Sequence, residues 1–255
     1  VTSGTVVKAT PSGPDAYPAE AAGLGWLADA GGARVARVLG VSAERIELER
    51  IDSARPTPEG ARQFGAALAV THSAGAAAFG SPPDDWAGRI YIGRREMAAA
   101  YEASWGPFYA RDRVLPFLAV AERAGTVTED EAADVRRACA LLAEGRFDDD
   151  EPPARLHGDL WSGNVLWGPD GVVLIDPAAH GGHRETDLAM LDLFGCPFLD
   201  EVLRGYDAQR PLRAGWRDRV PLHQLHPLAV HAAGHGRSYG AALADAARRV
   251  LEIAP

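Results

Sequence analysis

The sequence predicts an α+β fold of two unequal lobes: a small β-rich N-terminal lobe over residues 1–53 and a larger, helical C-terminal lobe over residues 54–255. Three observations carry this. Short strand-like runs fall mostly before residue 53, as where Ile46 and Leu48 alternate with Glu47 and Glu49, the period-two pattern of a half-solvated strand. From residue 57 onward, Ala- and Leu-rich helical patterns with caps dominate. One stretch, residues 155–177, interrupts them with two apolar runs around a Gly168-Pro169-Asp170-Gly171 turn, the signature of a β-hairpin.

The elements follow in order. Residues 4–10 read as a strand carrying Lys8, and 11–14 as a loop. Residues 17–30 form a helix ended by Gly31-Gly32, with Glu20 in its first turn. Residues 34–39 and 44–51 read as further strands, and 52–56 as the crossing between lobes. Thr57-Pro58-Glu59 opens a helix with an N-cap and a proline at its first position, and His72 lies near its end. Residues 74–95 are rich in Gly and Pro and read as an extended loop, in which Trp86 and Tyr91 either face a substrate or anchor the loop. Residues 97–124 read as mostly helical with a break near Gly106-Pro107. Thr128 and Glu131 form a capping box for a helix over 128–142, and 147–153 is an acidic connector. After the hairpin, residues 178–182 read as a flexible glycine-containing loop. Helices over 184–194, 198–206, 217–231 and 238–253 complete the chain.

Composition bounds the function. The chain has 255 residues, 47% hydrophobic and 24% charged, as expected of a soluble globular protein. A net charge of −9 argues against nucleic acid or an anionic membrane as partner. Cys139 and Cys196 lie far apart in apolar surroundings and read as buried thiols in a reducing cytoplasm. His223, His226, His231 and His235 do not share a metal spacing on one helix and read as core or surface histidines. Of 26 basic residues only Lys8 is lysine. That position calls for a compact ammonium on a flexible stem rather than a planar fork.

The chemistry is concentrated in the hairpin stretch. Asp159 follows His157-Gly158, Asn164 comes five positions later, and Asp176 follows the second apolar run. The hairpin brings Asn164 and Asp176 together, a carboxamide and a carboxylate suited to an oxygen-seeking Mg²⁺ that also holds phosphates. Asp159 is placed to take a proton from an attacking hydroxyl. This is the catalytic arrangement of protein-kinase-like enzymes, with the Asp-to-Asn spacing of their catalytic loop. His157 buttresses that loop. The alternative is a surface loop whose Asp and Asn cap turns. A strand Lys8 followed by a helical Glu20 matches the ion pair that positions nucleotide phosphates. Glu49 to Asp52, with Glu49 and Ile51, then forms the hinge whose backbone meets an adenine edge.

The segments His157-Gly158-Asp159-Leu160-Trp161-Ser162-Gly163-Asn164, Ile175-Asp176-Pro177 and Gly182-His183-Arg184-Glu185 resemble the fructosamine kinase (ketosamine kinase) family, within the aminoglycoside-phosphotransferase group of protein-kinase-like folds. The resemblance implies ATP and Mg²⁺ as cofactors, Lys8 and Glu20 at the phosphates, and Asp187 as a brace for the catalytic loop. It implies a ketosamine substrate, small or protein-bound, phosphorylated at the sugar 3-hydroxyl. The 3-phospho product sheds the sugar, so the role is deglycation in the cytoplasm, by a monomer. Trp161, two residues after the base, either stacks on sugar carbons or packs under the loop; the resemblance tips it to the substrate side, with Trp86 as the second candidate. Two rivals are a kinase for an aminoglycoside- or choline-like acceptor and a non-catalytic sugar-amine binding module. In one respect the sequence departs from the family: only seven residues precede Lys8, too few for the phosphate-covering hairpin, and the valine start points to a fragment or a start site placed too late.

Overall fold

The computed structural model describes residues 4–254. Strands β1 (Thr5–Lys8), β2 (Val38–Val41) and β3 (Ile46–Glu49) form an antiparallel sheet in the order β1–β3–β2. Lys8 ends β1, opposite Ile46. The alternation in β3 turns Ile46 and Leu48 inward, where they join Leu24 and Leu27 of helix α1 (Ala16–Asp29). The same apolar cluster takes in Leu68, Leu160, Val165 and Leu174. The sheet and the hairpin stretch therefore share one core.

The strand expected at 34–39 begins later, at Val38. Residues 34–36 instead lie along the hairpin stretch: Ala36 donates to Leu174 O at 2.9 Å, and Leu174 donates to Arg34 O at 2.9 Å. These bonds tie the small sheet to the hairpin stretch.

Helix α2 (Pro58–Ser73) starts as the sequence indicates, with Thr57 Oγ1 accepting from the Gly60 N–H at 3.1 Å. The stretch read as an extended loop contains a hairpin, β4 (Ile90–Ile92) paired with β5 (Arg95–Met97). Three-residue strands around Gly93 and Arg94 are too short to show a period. Helix begins only at Trp105, not at 97: α3 (Trp105–Phe108), a π-helical turn over Tyr109–Val114, then α4 (Leu115–Arg123). Helix α5 (Glu129–Ala143) has its capping box formed by Thr128 and Glu131.

The hairpin stretch comprises β6 (Ala154–Leu156), β7 (Val165–Gly168) and β8 (Gly171–Leu174). Val165 faces Leu174 across the β7–β8 pair. The segment expected to be flexible, 178–182, is buried and ends in strand β9 (His180–Gly182), paired with β6. Its glycines serve close packing rather than mobility. A Cβ on Gly181 would lie 2.1 Å from Ala78 O, a distance no side chain tolerates.

Helices α6 (Glu185–Leu193), α7 (Leu199–Gln209), α8 (Trp216–His235) and α9 (Arg237–Ile253) complete the described residues. The acidic connector is pinned rather than loose. Glu151 pairs with Arg184 and Arg210, both at 2.7 Å, and Asp149 meets His183 at 3.3 Å.

Helix α8 contains Pro221 and Pro227. Pro227 has no N–H to offer the carbonyl of His223, four residues back. The Tyr109 hydroxyl fills that gap: it donates to His223 O at 2.7 Å and accepts from the His226 N–H at 3.0 Å. Tyr109→Phe is expected to strand both backbone groups in the core and lower stability by about 1–3 kcal/mol, measured by chemical denaturation. Of the histidines that the sequence left as core or surface, His223 and His226 are buried.

Candidate active site

The chain leaves β6 at Leu156 and turns sharply through His157 and Gly158. Gly158 has φ +81°, and a Cβ there would stand 2.2 Å from Ala178 O. Only glycine fits a left-handed backbone at that approach. The turn is held from beneath by Asp187, in the first turn of α6. Its Oδ2 accepts from the His157 N–H at 2.8 Å and its Oδ1 from the Gly158 N–H at 3.0 Å. His72 Nε2 of α2 lies 3.2 Å from Oδ2, and His72 Nδ1 lies 2.8 Å from the Tyr206 hydroxyl of α7.

Three helices thus converge on one buried carboxylate. Burial alone would raise the Asp187 carboxyl, but the hydrogen bonds from His72 and the Gly158 N–H outweigh it and hold the pKa below the ordinary value. Burial lowers the His72 pKa. The contact is therefore a hydrogen bond from a neutral imidazole to a carboxylate rather than an ion pair.

His157 is buried and its tautomer is fixed. Nδ1 accepts the Asp159 N–H at 3.2 Å, so Nε2 carries the proton donated to Ile175 O at 2.9 Å. This ring links the loop to the end of the β8 segment, just before Asp176. Burial lowers its pKa, which keeps it neutral and unsuited to proton transfer.

Asp159 itself opens toward a cavity of about 370 Å³ lined by Lys8, Glu20, Trp161, Asn164 and Asp176 among others. Asn164 Nδ2 donates to the Asp159 carbonyl at 2.8 Å and to its Oδ2 at 3.2 Å. Burial pushes the Asp159 carboxyl up to about 7, reinforced by the neighbouring Asp176 and Asp187 charges and opposed by the Asn164 bond. A carboxylate with a pKa near neutrality is suited to accept a proton.

Asp176 adopts φ +53°, a left-handed conformation that Asp tolerates better than most residues. Its Oδ1 bonds to Lys8 Nζ, which also donates to Glu20 Oε1 at 2.7 Å. Burial works against the Lys8 ammonium, but the two carboxylates outweigh it and raise its pKa. The single lysine thus bridges α1 and the hairpin stretch. Asn164 commits its amide hydrogens to Asp159, and its amide oxygen makes no hydrogen bond among the described residues. That oxygen and the half-exposed Asp176 carboxylate are hard oxygen donors of the kind Mg²⁺ requires.

Trp161 is 40% exposed and lies over Gly163, where a Cβ would be 2.2 Å from the indole. It borders the cavity. Trp86 does not. Its indole N–H donates to Arg89 O at 3.0 Å, and its ring packs beside Gly88 against the helical core, so it anchors its loop. Tyr91 borders the cavity and donates to Pro14 O at 2.6 Å.

Glu49 and Ile51 do not line the cavity. The Glu49 carboxylate is buried between Arg34 and Arg37 and its N–H donates to Arg37 O at 2.9 Å, while Ile51 packs on Gly168. Sequence reasoning missed the role of His72, because a histidine at a helix end carries no motif and meets Asp187 only across 115 positions of sequence.

The fructosamine kinase family profile matches residues 6–253. A probable ketoamine kinase of Enterococcus faecium is 36% identical over 180 residues, which is 70% of this chain and 63% of that protein. The crystal structure of a candidate fructosamine-3-kinase from Thermobifida fusca superposes with a TM-score of 0.91 at 46% identity, covering 98% of this chain and 86% of the other. An aminoglycoside phosphotransferase superposes with a TM-score of 0.62 at 16% identity over 98% of this chain and 86% of the other, a likeness of fold alone. No helix among the described residues is long and apolar enough to cross a membrane.

Proposed function

The chain belongs to the fructosamine kinase family, and from this premise we propose that it transfers the γ-phosphoryl group of ATP to the 3-hydroxyl of a ketosamine. The acceptor is a fructosyl or ribulosyl group on lysine or a protein amine, and loss of the phosphorylated sugar restores the amine. One observation supports the reading above others: Asp159, Asn164, Asp176 and Lys8, dispersed over 168 positions of sequence, border a single cavity.

Phosphoryl transfer asks the protein for alignment and charge neutralisation rather than covalent participation. Asp159 orients the acceptor hydroxyl and takes its proton. Asn164 keeps the Asp159 carboxylate aimed and, with Asp176, offers the oxygen ligands for Mg²⁺, which when bound neutralises phosphate charge. Lys8, held by Glu20, contacts the α- and β-phosphates in place of Asp176, which frees that carboxylate. Trp161 offers a flat apolar face for sugar carbons. Asp187, His72 and His157 position the loop without touching substrate.

Lys8→Met is expected to lower kcat/KM for ATP about 10²–10³-fold, read in steady-state kinetics, with the fold intact by circular dichroism. The reading as a whole is tested by ADP release with fructosyl-lysine, ribulosyl-lysine and kanamycin, and by NMR of the product. Phosphate at the sugar 3-oxygen supports it. Turnover of kanamycin alone overturns it.

A further inference from the structure

A second cavity, of about 580 Å³, adjoins the first and shares Asp159, Trp161 and Arg94 with it. Lys8, Glu20 and Asp176 do not border it, so it lies on the acceptor side of Asp159. Its charged lining is Arg94 and Arg95 at the β4–β5 turn, facing His231 and His235 near the end of α8. Among the described residues Asp159 is its one acidic lining group.

The two arginines are unusual for this chain, in which acidic residues outnumber basic ones by 35 to 26. Arg89, on the same loop, pairs with Glu96 at 2.8 Å. Neither Arg94 nor Arg95 has a carboxylate partner among the described residues. Arg95 is half-buried and held in place: its Nη2 donates to Ala233 O at 2.6 Å, in a gap kept open by Gly234, whose Cβ would lie 3.2 Å away. One carbonyl does not neutralise a guanidinium. His231 adds no fixed charge, since its Nδ1 is engaged with Pro227 O at 2.8 Å and burial lowers its pKa. A fixed guanidinium and an exposed one, side by side on a cavity wall and without an ion-pair partner among the described residues, match a carboxylate or phosphate.

We infer that this subsite selects acceptors bearing an anionic group, and that Arg94 and Arg95 are specificity-determining residues. The inference rests on the ketosamine kinase reading and narrows it. The acceptor is a small ketosamine with a carboxylate on its amine carrier or a phosphate on its sugar, and a polycationic acceptor is repelled.

The test compares fructosyl-glycine, fructosyl-methylamine and 6-phospho-fructosyl-methylamine, by calorimetric binding and by ADP release. At least one anionic acceptor is expected to exceed fructosyl-methylamine about 10–100-fold in affinity and in kcat/KM, and which one does so identifies the anion. That ratio is expected to fall several-fold in Arg94→Ala and nearly to one in Arg94→Ala/Arg95→Ala. Because Arg95 also anchors the hairpin, Arg94→Ala alone, in an exposed turn, keeps the test valid if the double variant misfolds. Equal binding and turnover of all three acceptors by the wild type overturns this inference and leaves the kinase reading standing. Preferential binding of an anionic acceptor with no turnover of any overturns the kinase reading and supports the subsite.

Discussion

Asp159→Asn is expected to lower kcat about 10²–10⁴-fold while leaving ATP affinity near that of the wild type. The variant keeps the shape of the side chain and its place beside Asn164 but cannot take a proton. The pH dependence follows from the same residue. Burial holds the Asp159 pKa up to about 7, and in the proposed reaction only the ionised form can act as base. In the wild type, kcat/KM is therefore expected to rise about tenfold per pH unit below 7 and level off above it. The residual activity of Asp159→Asn should lack that limb.

A stability effect of opposite sign accompanies it. The folded pKa lies above the unfolded value of about 3.9, so the folded protein binds more protons between these two values. Ionisation of Asp159 thus costs stability progressively as pH rises from about 4 to 7. Asp159→Asn removes that cost, and its melting temperature should exceed the wild type's by a margin that grows through this window. Calorimetry across pH checks it. A gain of stability with loss of activity is the expected mark of a functional buried carboxylate.

Asp187→Ala is expected to lower stability by at least about 3 kcal/mol. The substitution leaves the His157 and Gly158 N–H groups and the His72 ring nitrogen without their acceptor, all in the interior. It also releases the turn that aims Asp159, so kcat should fall in protein that remains folded at low temperature. The acid limb provides a second check. The Asp187 pKa is lowered in the folded state, so its contribution is present above the ordinary carboxylate pKa of about 3.9 and is lost as pH falls through the depressed folded value. Denaturation curves should show an acid-sensitive term in the wild type that is missing in Asp187→Ala. A variant with unchanged stability would mean that water satisfies the turn in place of Asp187.

Local rules encode part of this fold. The Thr57 and Thr128 caps, the Gly168–Gly171 turn and the inward Ile46 and Leu48 of the period-two pattern each depend on neighbours a few residues away, and each is present in the fold, although Glu49 at the end of that pattern is buried. The offsets among Asp159, Asn164 and Asp176 survive because one short turn and one hairpin join them, so spacing and geometry are nearly equivalent there. The pairing of Lys8 with Glu20 was also legible, as a strand residue followed by a residue of the next helix.

Packing between distant segments set the rest. It buried residues 178–182 and made His180–Gly182 a strand, because Gly181 packs tightly against Ala78 O from a distant loop. It turned Trp86 toward the helical core and the Glu49 carboxylate toward two arginines, away from the cavity. It brought His72 to Asp187, and Arg94 and Arg95 to the wall facing α8. A side chain's direction and its partners are set by which remote surfaces pack together, and no periodicity or short-range spacing carries that information.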